Sequence, residues 1–192
     1  MRIIRSSSFI SCFNFINSSE DEPLSIIRFE GTESVSNPFD FTIELKSRSA
    51  DIDIDGLLSS PCSLEIIVGG KSRVINGILA EFDTVSQLGD FIVYRATMVP
   101  RLWQLSLYST NEVYIDQNVP DIIKTVLEEG GFTALDYEMR LLRDYKDWPF
   151  RCQYGESHLN FISRLMEHEG IYYFFEHVDD VDKIIFCDNL NG

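Results

Sequence analysis

The sequence predicts an α+β protein, a mainly antiparallel β-barrel domain followed by a smaller α+β module with two helices. Three observations predict this. Phe39, Phe41, Ile43 and Leu45 alternate strictly with Asp40, Thr42, Glu44 and Lys46, the period of a strand with one buried face. Short apolar runs separated by turn residues recur up to Pro100, as in small barrels and sandwiches. Beyond Gln117 the apolar spacing becomes helical and capping residues appear. The expected domains are residues 1–105 and 106–192, with the junction near Arg101 to Gln117.

The barrel elements follow in order. Met1 to Ile16 reads as an edge strand or a mobile leader, because serines interrupt its apolar run and no small-residue cleavage site follows; residues 1–20 form the expected leader. Leu24 to Phe29 is a short strand that Glu30 and Gly31 should break, and Ser36-Asn37-Pro38 is a turn. Ile52 to Leu58 reads as a loop or a short turn of helix. Leu64 to Val68 and Arg73 to Leu79 flank Gly69-Gly70 as a hairpin, and Ala80 to Val85 continues outward. Phe91 to Val99 closes the series before Pro100.

In the second half, Asn118 caps a helix whose first turn holds Pro120, where no amide donor is needed. Ile122, Ile123, Val126 and Leu127 share one face, and Gly130-Gly131 ends it. Tyr137 to Trp148 has no clear period, and Phe150 to Tyr154 is a short strand. Ser157 caps a second helix with the stripe Leu159, Ile162, Leu165 and Met166 and with Phe161 at its edge. Gly170 ends that helix, and Ile171 to Glu176 pairs with Lys183 to Cys187 across Asp179-Asp180.

Composition narrows the function. A formal net charge of -15 repels phosphate backbones and anionic lipid surfaces, so neither nucleic-acid binding nor membrane insertion is expected. With 44% hydrophobic residues the chain can build a core, which excludes wholesale disorder. Cys12, Cys62, Cys152 and Cys187 lie far apart with no Cys-x-x-Cys pair, as expected of buried reduced thiols.

The chemistry-bearing residues do not assemble into a motif. Gly70-Lys71-Ser72 lacks the glycine five positions before Gly70, where Glu65 stands, and leads into a strand rather than a helix. His158, His168 and His177 form no His-Glu-x-x-His pair, and His177 reads as a surface group near an acidic turn. Glu156 and Glu169 fall at opposite ends of one helix, too far apart to act on one substrate. By elimination Cys152 and His158 are the nucleophile and base of an enzyme reading, against which a cysteine packed as a small hydrophobe is commoner. No catalytic, cofactor or metal residues are therefore expected.

Five segments carry a resemblance. They are Phe29-Glu30-Gly31-x-Glu33-x-x-Ser36-x-Pro38-Phe39-x-Phe41; Arg73-x-x-x-Gly77-Ile78; Pro100-Arg101-Leu102-Trp103-x-Leu105; Gln117-Asn118-x-Pro120-Asp121-Ile122-Ile123; and Gln153-Tyr154-x-Glu156-Ser157 with Phe161 to Phe175. Together they resemble VgrG, the spike hub of type VI secretion, and the similar N-terminal region of phage tail baseplate hubs. The resemblance implies a structural, non-enzymatic part of a contractile injection machine that connects tube and spike. It also implies a homotrimer, an Hcp-like hexameric tube protein as partner, effector cargo, and cytoplasmic assembly followed by export. The sequence stops at Gly192 soon after the α+β module, which is expected of a fragment or of a short relative acting as adaptor or cargo carrier.

Overall fold

Strands β1 (Arg2–Arg5), β2 (Ile10–Phe15), β3 (Ser25–Ser34), β4 (Asn37–Ser47), β5 (Pro61–Val68), β6 (Lys71–Leu88) and β7 (Phe91–Val99) form one sheet. Its order is β1-β3-β4-β7-β6-β5-β2. A computed structural model supplies these elements and describes residues 1–5, 10–15, 24–49 and 52–189. The chain divides into two compact units. The first comprises Met1–Ser34, Pro38–Arg101 and His177–Asp182, and the second Val35–Asn37, Leu102–Glu176 and Lys183–Gly192. The leader expected over residues 1–20 lies partly outside the described residues; within it, Arg2–Arg5 and Ile10–Phe15 are strands.

Chain connectivity shows that this sheet is curled. β1 and β2 occupy opposite edges, yet only five chain steps separate Arg5 from Ile10. Five extended residues reach about 18 Å. The edges of a flat seven-stranded sheet would stand about 29 Å apart at the usual strand spacing. The sheet must therefore bend until its edges approach, giving the barrel-like shell that the alternating strands predict. The alternation holds in detail, because Phe39, Phe41, Ile43 and Leu45 are all buried.

Two glycines make the shell possible. A Cβ on Gly31 would lie 2.1 Å from the Phe41 ring, and one on Gly77 would lie 2.5 Å from the Val99 carbonyl oxygen. Gly31 therefore does not break the strand as expected. It lies within β3, which runs on to Ser34, because the missing side chain is the space that Phe41 fills. The Gly69-Gly70 and Gly89-Asp90 turns join β5 to β6 and β6 to β7, and α1 (Ile54–Leu57) lies between β4 and β5.

The second unit contains most of a 3-10 turn (Arg101–Ser106), then β8 (Ser109–Gln117), α2 (Val119–Glu129), β9 (Tyr137–Arg140), β10 (Trp148–Ser157) and α3 (His158–Glu169). The last hairpin is β11 (Tyr172–Val178) and β12 (Val181–Cys187). Its turn is the acidic one expected, with Asp179 and Asp180 at φ 50° and 64°. The helix caps also match the sequence reading. Asn118 accepts from the Asp121 N–H, Ser157 accepts from the Asn160 N–H, and Gly170 is left-handed.

Two strands of this unit are not assigned from the sequence, and one placement is corrected. The junction segment contains a full strand, β8, which pairs antiparallel with β10. Its apolar side chains Val113 and Ile115 are exposed, so no inward apolar alternation marks it. The unassigned stretch after Tyr137 opens with β9, whose partner β12 runs parallel to it. Parallel pairing joins distant segments and leaves no hairpin signature. Phe161 is not at the edge of the α3 stripe but fully buried, its ring stacked on Tyr114 at 5.3 Å. With Ile122, Ile123, Val126, Leu127, Ile162 and Phe186 these rings make one apolar core.

Candidate functional site

The residues suspected of catalysis occupy separate settings. Cys152 lies midway along β10 and opens onto a shallow depression of about 370 Å³, lined also by Trp148, Pro149, Phe150, Arg151 and Arg164. Its thiol contacts the carbonyl of Gln153 at 3.6 Å. Among the described residues, no imidazole or carboxylate lines that depression. Arg151 stacks over the Trp148 ring at 3.6 Å, and Arg164 bonds the Glu156 carboxylate and the Cys152 carbonyl.

His158, the expected base, is buried and held elsewhere. Its Nδ1 stands 3.3 Å from the Gln153 amide oxygen, its Nε2 lies 4.0 Å from a Glu129 oxygen, and its backbone N–H donates to the Tyr108 carbonyl. No hydrogen bond joins His158 to the Cys152 thiol among the described residues. A nucleophile and its base must nearly touch, so the pair lacks the geometry of covalent catalysis.

The carboxylates do not converge either. Glu156 lies just before α3 and is clamped by Arg164 at 2.6 Å. Glu169 lies at the far end of that helix, within 3.3 Å of both the Trp148 indole N–H and His168 Nδ1. A helix of this length separates them by about 20 Å. Gly70 lies in the Gly69-Gly70 turn and Lys71 and Ser72 open strand β6, and the Ser72 hydroxyl donates to Glu65, so no helix amides face a phosphate there. Among the described residues, no cluster of three or more His, Cys, Asp or Glu could hold a metal ion.

His177 corrects a further expectation. It is not a surface group beside the acidic turn but a half-buried member of β11. Its Nδ1 accepts a hydrogen bond from the Asn76 backbone N–H at 3.0 Å, and its ring packs on Phe39 at 5.6 Å. Burial, reinforced by Arg73 and opposed by Glu33, lowers its pKa to about 4, so the imidazole is neutral. Close by in the sequence, the Asp182 carboxylate accepts from the Arg101 backbone N–H at 2.6 Å.

The motif residues themselves explain what the chain conserves space for. Gly31 and Gly77 permit close packing, and Phe29, Phe39 and Phe41 fill the shell. Leu102, Leu105, Ile122 and Ile123 are fully buried, and Asn118 and Ser157 cap helices. Gln153 is buried and donates to the Glu156 carbonyl, while Arg164 ties Glu156 to β10. Each has a structural task, and of these residues Arg164 also lines the depression beside Cys152. A family model for the phage tail baseplate hub (GPD) matches residues 32–192.

The chain belongs to the phage tail baseplate hub family.

The hub resemblance read from the five segments is borne out by individual relatives. The type VI secretion system spike protein VgrG1b of Pseudomonas aeruginosa is 40% identical over 168 residues, covering 87% of this chain and 22% of the relative. VgrG3 of Vibrio cholerae is 30% identical over 183 residues, 90% of this chain and 18% of the relative. The chain thus spans about a fifth of the length of these relatives. Among solved structures, the Escherichia coli c3393 protein superposes with a TM-score of 0.86 at 26% identity, covering 94% of this chain and 50% of that one. It is a component of the type VI secretion system with structural similarity to the T4 phage tail proteins gp27 and gp5. A 43 kDa prophage tail protein from Shewanella oneidensis shares the hub fold at TM-score 0.61 and 14% identity, over 93% of this chain and 53% of that one.

Proposed function

We propose that this chain is the N-terminal part of a VgrG-like hub, a structural element connecting tube and spike in a contractile injection machine. The observation that carries this reading is the superposition on the c3393 protein, a type VI secretion system component, over nearly the whole chain. The separation of Cys152, His158, Glu156 and Glu169 supports a role without catalysis. In this reading the working assembly is a homotrimer that meets an Hcp-like hexameric tube protein and carries effector cargo. It is put together in the cytoplasm and exported by type VI secretion. The similarity to spike proteins of secretion systems supports each of these steps.

Affinity purification of the tagged protein from cells that assemble the machine tests the reading. Tube and spike proteins should co-purify, and Cys152→Ser should leave the yield of both unchanged. A tagged protein that emerges alone from cells with assembled tubes would overturn it.

A further inference from the structure

The depression beside Cys152 lies along an open strand edge. Among the described residues β8 is the only strand paired with β10, so the opposite edge of β10 is free. Trp148, Pro149, Phe150, Arg151 and Cys152 follow one another, and successive side chains of a strand point to opposite faces. All five line the depression, which places it at that edge and on neither face alone. Arg164 of α3 closes one side and bonds the Cys152 carbonyl at 2.9 Å. A free edge ordinarily invites another strand, but here Pro149 has no N–H to donate and Arg164 already holds a carbonyl. An occupant must therefore bind through its side chains. The volume of about 370 Å³ takes one or two of them.

Charge and shape identify the occupant. Trp148, Pro149 and Phe150 give an apolar wall, and Phe150 is 64% exposed. Arg151 lays the face of its guanidinium on the Trp148 ring at 3.6 Å, which leaves the edge N–H groups free. Among the described residues no carboxylate bonds Arg151; Glu156 is spent on Arg164, and Glu169 on the Trp148 indole N–H and His168. In a chain with 31 acidic and 16 basic residues, a depression lined by two arginines and no carboxylate favours a carboxylate as its guest. Nucleic acid also offers anions and rings, but its backbone would run on across the acidic surface. A second copy of the chain would bring its charge of -15 against the same surface. A short peptide segment avoids both, since charges beyond about 8 Å are screened at physiological salt. We propose that this depression takes an acidic segment of another protein, with a carboxylate on the edge of Arg151 and an adjacent apolar side chain against Trp148 and Phe150. The site goes beyond the hub reading and does not rest on it.

Isothermal titration calorimetry of the 192-residue chain with short synthetic peptides tests the proposal. One peptide carries Asp and Glu on either side of a Phe, and its counterpart carries Asn and Gln instead. The acidic peptide should bind at least about tenfold more tightly than the amide one, and less tightly as salt rises. Arg151→Gln should remove that preference. Arg151→Lys keeps the charge but loses the flat stacked fork, so it should retain only part of it. Arg95→Gln, at an exposed guanidinium of the other unit, should leave binding unchanged. Circular dichroism should show all three variants folded. The comparison of the two peptides on the wild-type chain needs no variant, so it decides the matter even where Arg151→Gln lowers stability. Equal binding of the two peptides, or an Arg151→Gln variant that keeps the preference, would overturn the proposal. So would a single-stranded oligonucleotide that outcompetes the acidic peptide, or wild-type self-association that Arg151→Gln abolishes, since the site would then have a different occupant.

Discussion

The Nδ1 atom of His177 accepts a hydrogen bond from the backbone N–H of Asn76 at 3.0 Å, so the histidine serves the fold as a neutral acceptor. A protonated imidazole carries hydrogen on both nitrogens and cannot fill that role. The Asn76 side-chain N–H reaches the Val181 carbonyl, so both ends of the hairpin tip are tied to β6 through one residue.

Stability should therefore fall on mild acidification. His177 titrates near 6.5 in the unfolded chain and near 4 in the folded one. Between these values the unfolded state holds the extra proton, so stability rises with pH. The contribution is complete above the unfolded pKa and is lost as pH falls toward 4, at no more than about 1.4 kcal/mol per pH unit. Urea unfolding midpoints at about pH 7 and about pH 5 measure it. His177→Gln keeps an acceptor oxygen and removes the titration, so its midpoint should change less over that range. An equal change in both proteins would assign the slope to other groups.

Gly31→Ala should destabilise the first unit by about 1–3 kcal/mol through overpacking against the Phe41 ring. Gly31→Ala combined with Phe41→Leu should cost less than the sum of the two single changes, because the shorter side chain vacates the space. Thermal melts of the four proteins form the cycle, and strict additivity would refute the contact.

The Asp188 carboxylate holds the segment after β9. It accepts from the backbone N–H groups of Leu142 and Arg143 and from the Tyr145 hydroxyl. Desolvation raises its pKa, but these donors outweigh it and hold the carboxyl far below the usual range. Asp188→Asn should cost about 1–3 kcal/mol, since one amide oxygen replaces two charged acceptors. Hydrogen exchange should quicken at Leu142 and Arg143 while α2 and α3 keep their protection.

Cysteine labelling tests whether the Cys152 thiol is accessible or packed. Cys152 is partly exposed, whereas Cys62 and Cys187 are buried, and burial raises the Cys62 thiol pKa far above its ordinary value. In a Cys12→Ser background a maleimide should modify Cys152 first and leave the melting temperature nearly unchanged. Modification that unfolds the protein would mean that the thiol is packed rather than accessible.

Much of this architecture was legible in the residues. The strict alternation from Phe39 to Leu45 and the caps at Asn118, Ser157 and Gly170 each report a local rule, and local rules survive folding. What escaped depends on distant partners. Gly31 looked like a breaker because Phe41, ten residues away, supplies the reason for it. β9 was hidden because its partner β12 lies more than forty residues downstream. His177 looked solvated because the residues that cover it, Phe39 and Asn76, come from the first half of the chain. β8 was missed because it turns Val113 and Ile115 outward, the reverse of an ordinary half-buried strand.

Electron microscopy of assembled injection particles carrying a gold-labelled version of this chain tests the central claim most directly. Label confined to the end of the tube, where the baseplate and spike meet, is the predicted result. Label spread along the tube, or particles that form fully without any, would contradict a hub role.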